Sequence, residues 1–219
     1  MSNMKFKGAI FDVDGTLIDS MGYWKTAPGD YIRSLGKEPR ADLGDRFLTF
    51  GLASIYPEIC KEYGIDLPIE EVSAGIYAIM EKNYERVMLK PHVKEMLQAF
   101  YDRGVKMCVA SATNSDLVRR VLTRLGAVQY FSEIFCCKDV GRGKRYPDIY
   151  NHALGFLGTE KNETPVFEDA IFAVRTLKAN GFIAVGIEDK YVTDAERAEI
   201  KSLVDYYIDS YVNWEKILK

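Results

Sequence analysis

Apolar residues along this chain follow two rhythms. Gly8-Ala9-Ile10-Phe11 is a short unbroken apolar run, and similar runs recur at 105–110, 134–137, 164–167, 182–185 and 206–208. Short continuous runs bounded by turn signals are what strands buried on both faces look like. Between them apolar positions fall three and four apart. Val93, Met96, Leu97 and Phe100 form one stripe; Leu117, Val118, Val121, Leu122 and Leu125 form another over 115–125, with Gly126 placed as the C′ residue. Further helices are predicted after Pro147, over 171–179 before Asn180-Gly181, over 194–203, and at the carboxyl end.

Strand and helix therefore alternate from about residue 90 onward. That order predicts an α/β fold, a Rossmann-like parallel sheet with helices on both faces, whose ligands bind at the carboxyl ends of the strands. Residues 17–89 break the alternation. They carry helical periodicity interrupted by turn signals at Pro28-Gly29, Gly36, Gly44, Gly64 to Pro68 and Pro91. The expected organisation is a core of 1–16 with 90–219 and a small α-helical cap domain of 17–89. Because the insertion leaves directly after the first strand, it is expected to lie over the strand ends as a lid; a helical domain with no bearing on the site is the alternative.

Composition narrows the partners. The chain has 219 residues, 47% of them hydrophobic, enough for a large core and too apolar for disorder. A net charge of −3 and a pI near 5.6 give no global attraction to nucleic acid or anionic membrane, so a phosphate-bearing ligand must be held locally. Met1-Ser2-Asn3-Met4-Lys5 lacks an apolar signal core and no stretch approaches a membrane span, so a cytoplasmic protein is expected. Cys60, Cys108, Cys136 and Cys137 show no C-x-x-C spacing and read as reduced thiols. With His92 and His152 the only histidines, zinc and Ser-His-Asp chemistry have little to work with. A monomer is the default expectation.

The first strand runs straight into Asp12-Val13-Asp14-Gly15-Thr16-Leu17. Alternation along the strand lets Asp12 and Asp14 share one crevice, and Gly15 permits a sharp exit. Two acids at a strand end point to metal-assisted chemistry. An EF-hand is excluded by spacing: counting from Asp12, the positions for its glycine and its bidentate glutamate hold Leu17 and Tyr23. A structural acid pair is the other alternative. Three later strand ends complement the pair. Ser111-Ala112-Thr113-Asn114 offers a hydroxyl and amides for a phosphoryl oxygen, although Asn114 also suits a helix cap. Lys144 stands in a glycine-containing loop before Pro147. Glu168-Asp169 follows the strand at 164–167, where adjacent acids need a cation or Lys144 to compensate them.

Together these motifs resemble the haloacid dehalogenase-like hydrolases with a helical cap after the first motif, the branch containing β-phosphoglucomutase and phosphoglycolate-phosphatase-like phosphatases. Asp12 to Leu17 matches the first motif, Ser111 the second, Lys144 with Pro147-Asp148-Ile149 the third, and Glu168-Asp169 the fourth. The resemblance implies Mg2+ and phosphoryl transfer to water from a small phosphorylated metabolite. Asp12 would be the nucleophile and Asp14 the acid and base, a second carboxyl that true dehalogenases lack. Asp12, Asp14 through its main-chain carbonyl, and Asp169 would hold the metal, with Glu168 a ligand or neighbour. Val13, Thr16, Ser111, Ala112, Asn114 and Lys144 are expected around the phosphoryl group.

The chain departs from the family pattern at Arg145, where proline usually follows the lysine; at Ala170 and Ala173, in place of serine and glycine; and at His92, where the hinge often has glycine. These departures bear on loop geometry, not on reaction class. Two rivals share the machinery: a sugar-phosphate mutase, and a non-catalytic phosphometabolite-binding protein. Mutases of the β-phosphoglucomutase type carry a cap histidine and arginine where this chain has Trp24 and Ser54, which favours hydrolysis. For substrate contact the cap offers Tyr23, Trp24, Tyr31, Phe47, Phe50 and Tyr56 with Arg33, Arg40 and Arg46, and Trp24 is the first candidate.

Overall fold

A computed structural model of the chain describes residues 6–218. Residues 1–5, read above for the absence of a signal segment, lie outside the described residues. Two compact units are present, one of Ser20–Val87 and one of the described residues before and after it.

The larger unit is a six-stranded, all-parallel sheet in the order β3-β2-β1-β4-β5-β6, formed by β1 (Gly8–Phe11), β2 (Lys106–Ser111), β3 (Glu133–Cys136), β4 (Pro165–Glu168), β5 (Ile183–Ile187) and β6 (Tyr206–Ile208). The strands are apolar on both sides because helices cover both sides. On one face Ile10, Cys108, Ala110, Val166 and Ala184 pack with Ile149, Tyr150, Ala153 and Leu177 in a buried cluster. The alternate positions supply the other face: Phe11 and Phe167 stack at 4.3 Å between centroids, and Phe100 and Trp214 continue the aromatic layer.

The chain winds outward from β1 through β2 to β3, then returns to the far side of β1 for β4. Neighbouring strands β1 and β4 thus leave the sheet toward different helices. Such a reversal opens a crevice at the strands' carboxyl ends, the general binding position of open α/β sheets.

The smaller unit holds four helices, α1 (Met21–Ser34), α2 (Leu43–Phe50), α3 (Leu52–Tyr63) and α4 (Ile69–Asn83). Two expected turns here are helical instead. Pro28 and Gly29 lie inside α1, where Pro28 is buried, and Gly44 lies inside α2. Packing explains the second: a Cβ on Gly44 would come within 2.1 Å of the Lys25 carbonyl, so this glycine lets α2 approach α1. Gly75 plays the same part in α4, where a Cβ would meet the Tyr31 ring at 2.1 Å. Gly36 and Gly64 do break the chain as expected, after α1 and α3, with φ +74° and +58°.

The remaining helices belong to the larger unit: α5 (Val93–Asp102), α6 (Ser115–Arg124), the short α7 (Cys137–Val140), α8 (Asp148–Leu157), α9 (Ile171–Ala179) and α10 (Asp194–Leu203). The carboxyl-terminal segment Tyr211–Leu218 is a 3-10 helix. No helix among the described residues is long and apolar enough to cross a membrane.

Candidate active site

Register brings the acids together. Phe11 pairs with Phe167, so the next residues, Asp12 and Glu168, leave adjacent strands side by side, and the Asp12 amide donates to the Phe167 carbonyl at 3.0 Å. Gly15 then takes φ +78°, a left-handed conformation open to glycine at little cost, and the Val13 carbonyl accepts the amides of Thr16, Leu17 and Ile18 to close the turn.

Asp12, Glu168 and Asp169 are all buried, and each offers a carboxylate oxygen within 4.8 Å of the others. Lys144 is buried among them. Its ammonium donates to Asp12 Oδ1 and, at 2.6 Å, to Glu168 Oε1. The Tyr150 hydroxyl, on α8, donates to the same Glu168 oxygen at 2.7 Å. Burial and the neighbouring Glu168 and Asp14 outweigh Lys144 and push Asp12 up to about 7; burial, reinforced by Asp12 and Glu168, also drives Asp169 well above the usual carboxylate range. For Lys144, burial opposes the charge but Asp12 and Glu168 prevail, holding the ammonium above its ordinary value. One ammonium thus faces three carboxylates, two negative charges remain uncompensated, and protonation is how a metal-free site relieves them.

The other expected residues take more specific places. Asp14 stands apart from the three-carboxylate cluster and accepts from Thr113 Oγ1 at 2.8 Å. Ser111 is the last residue of β2, buried, its oxygen accepting the Thr113 amide at 3.0 Å. Thr16 is fully buried; its hydroxyl is directed at Asp169 Oδ1, 3.4 Å away, and its carbonyl accepts the Tyr211 hydroxyl. Asn114 is exposed and caps α6, with its carboxamide oxygen accepting the amides of Asp116 and Leu117. Ala112 is exposed between them and the Val13 side chain is buried. Trp24 is buried in the smaller unit, stacked on Phe47 and edge-on to Tyr77 and Tyr84.

Three residues of this arrangement carried no distinct signal. Thr113 sits inside the named segment 111–114, yet a threonine two residues past a strand predicts nothing about Asp14. Tyr150 and Tyr211 belong to no motif that sets them apart from the other tyrosines. Only their hydroxyls, bonded to Glu168 and to Thr16, tie them to the acids, and that is visible in three dimensions alone.

Residues 9–187 match the sequence profile described as haloacid dehalogenase-like hydrolase. Validoxylamine A 7'-phosphate phosphatase of Streptomyces hygroscopicus subsp. limoneus is 27% identical over 203 residues, covering 87% of this chain and 89% of that protein. The phosphorylated carbohydrates phosphatase of Thermotoga maritima is 25% identical over 213 residues, 97% and 96% of the two chains. A crystal structure of β-phosphoglucomutase from Clostridium difficile superposes with a TM-score of 0.78 at 17% identity, over 97% of this chain and 95% of that one, a likeness of fold. With a parallel sheet whose central strand ends in Asp12 beside Lys144, Glu168 and Asp169, and a family match spanning most of its length, the chain belongs to the haloacid dehalogenase-like hydrolases.

Proposed function

We propose that this chain is a magnesium-dependent phosphatase hydrolysing a small phosphomonoester, with Asp12 carrying the phosphoryl group transiently as a phosphoaspartate. The observation that carries this reading is the charge of the buried cluster, three carboxylates against one ammonium at the sheet's switch point. Lys90, the other nearby cation, is already matched by Asp189 at 2.9 Å. A site made of oxygen donors alone and short of two positive charges suits a hard divalent cation. Asp12 and Asp169 would hold it, with the Asp14 main-chain carbonyl and Glu168 beside them. When bound, magnesium supplies the positive charge that lets an anionic nucleophile approach an anionic phosphate.

The remaining steps belong to the chain's own side chains. The Asp12 carboxylate attacks phosphorus, the phosphorus–oxygen bond to the leaving group breaks, and the departing alkoxide takes a proton from Asp14. Water then attacks the phosphoaspartate, gives a proton to Asp14, and releases phosphate and free Asp12. Thr113 fixes the Asp14 carboxyl for both transfers. Lys144, pinned by Glu168 and through it by Tyr150, presents its ammonium to the transferring oxygens, as do the Ser111 hydroxyl and the main chain near Val13 and Ala112.

Both relatives named above are phosphatases, one of them for phosphorylated carbohydrates, which supports a substrate of about that size. Hydrolysis is favoured over a mutase because the position where the mutases have a cap histidine holds Trp24, enclosed by aromatic rings, and the arginine position holds an exposed Ser54. The test is phosphate release from a broad panel of phosphomonoesters, with and without magnesium, for the parent and Asp12→Asn. Release that needs magnesium and falls at least about a thousandfold in the variant is expected. A panel with no turnover, from folded protein that binds magnesium, would overturn the reading in favour of a mutase or a binding protein.

A further inference from the structure

The loop that carries Lys144 holds three more cations, Lys138, Arg142 and Arg145, against a single acid, Asp139, whose carboxylate is taken up by the Cys136 amide at 2.7 Å. Arg145 follows directly on Lys144, so that their Cα atoms are about 3.8 Å apart. Lys144 is buried against Asp12 and Glu168, whereas Arg145 is exposed, its guanidinium carbon 4.9 Å from the centroid of the Phe172 ring. Phe172 stands three positions after Asp169, in the first turn of α9. The stack therefore ties the segment that carries Lys144 to the first turn of the helix that follows Asp169.

Arg145 has no carboxylate partner among the described residues. Three arginines of the smaller unit differ: Arg33 is bound to Asp30, Arg40 to Asp42 and Glu58, and Arg46 to Glu58. A guanidinium lying on an aromatic face is held in orientation while its N–H edge stays open to a planar or tetrahedral anion. Proline, the usual residue of the family pattern at this position, could do none of this. We propose that Arg145 is a specificity-determining residue that binds a second anionic group, phosphate or carboxylate, on the substrate whose phosphoryl group is transferred at Asp12. The proposal rests on the phosphatase reading and names its substrate class: small metabolites with two anionic ends.

The same arginine could instead act on any anion through its field. An exposed charge is screened within about 8 Å at physiological salt, and such an effect would be shared by Arg142, which stacks on Tyr146 of its own loop at 4.9 Å. Kinetics should therefore compare fructose 1,6-bisphosphate, 6-phosphogluconate and glucose 6-phosphate, for the parent, Arg145→Ala, Arg145→Lys and Arg142→Ala. The parent is expected to favour the two probes with a second anion by about tenfold in kcat/KM. Arg145→Ala should erase that preference through KM, with kcat and the glucose 6-phosphate values within about twofold of the parent. Arg145→Lys should restore part of the preference, and Arg142→Ala should leave it intact. A parent that does not discriminate, or an Arg145→Ala variant weakened equally on all three probes, overturns the proposal. Calorimetric binding of the same probes to Asp12→Asn, with and without Arg145→Ala, reads the preference without turnover. Selective binding without hydrolysis would refute the phosphatase reading and sustain the second-anion site; unselective binding would refute the site.

Discussion

Both units of this protein carry ion pairs at their surfaces, but among the described residues only the larger one also buries charged side chains. The ion pairs of the smaller unit lie at the surface: Lys25 with Asp45, Arg33 with Asp30, Arg40 with Asp42, Glu58 and Glu62, Arg46 with Glu58. Its interior is aromatic and aliphatic, centred on Trp24. In the larger unit three carboxylates and one ammonium are buried together with the balance left negative. Exposed matched pairs contribute little to stability, while a buried unmatched cluster is costly and persists only where chemistry uses it. The comparison separates a unit built for packing from one built around a reaction.

The sharpest break of that contrast is Lys144→Met, which removes the only cation from the buried cluster. Turnover is expected to fall at least about a hundredfold, and stability in chelator, followed by denaturant unfolding, by about 3–5 kcal/mol. Magnesium should recover part of the stability and little of the activity. A loss no larger than about 1 kcal/mol would mean that the cluster does not depend on its lysine.

Trp24→Ala removes an aromatic anchor instead of a charge. A cost of about 3–5 kcal/mol is expected from the vacated volume, with Trp24→Phe retaining most of it. Thermal unfolding by tryptophan and far-ultraviolet signals would read it. A stable Trp24→Ala protein with a sharply raised KM would instead give Trp24 the substrate-contact role that the sequence suggested.

The acids also predict a pH dependence. Without metal, Asp12 titrates near 7 in the folded protein and near its ordinary value once unfolded. Between about pH 4 and 7 the folded state therefore binds more protons, so stability falls as pH rises through that window. Asp169, shifted in the same direction, adds to the slope. Melting temperatures in chelator should decline from about pH 5 to 7.5, and magnesium should flatten the decline because the ion replaces the protons. Magnesium affinity should weaken below about pH 7.

The smallest effect concerns the backbone. His92, before α5, is the one described non-glycine residue with positive φ, at 65°, held by a 3.5 Å contact from Nδ1 to Glu95. His92→Gly is expected to raise stability by about 0.5–1 kcal/mol with unchanged turnover. A loss of stability would show that the histidine's contacts outweigh its strain.

How much of this was legible in the sequence differs between the units for a physical reason. Strands buried on both faces announce themselves as apolar runs, and acids or a serine at their ends stand out. Asp12, Ser111 and Glu168 are visible for that reason, and the register that makes Asp12 and Glu168 neighbours follows from the parallel pairing. Helix breaks in the smaller unit misled because glycine and proline have two uses. Gly44 and Pro28 carry turn chemistry in sequence but serve close packing and burial in α2 and α1. Thr113, Tyr150 and Tyr211 were illegible because their roles depend on hydroxyls meeting acids, or the backbone beside them, far away in the chain. The unmatched state of Arg145 was illegible because it depends on which carboxylates lie near its guanidinium in space.

The central claim is that Asp12, in the overcharged cluster, accepts the phosphoryl group. It is tested most directly by acid-quenching the enzyme during magnesium-supported turnover of a panel substrate and mapping peptides by mass spectrometry. The account predicts a phosphoryl adduct on Asp12, convertible to homoserine by borohydride, absent in chelator and absent in Asp12→Asn. Phosphate release that proceeds without any adduct, and at a comparable rate in Asp12→Asn, would contradict it.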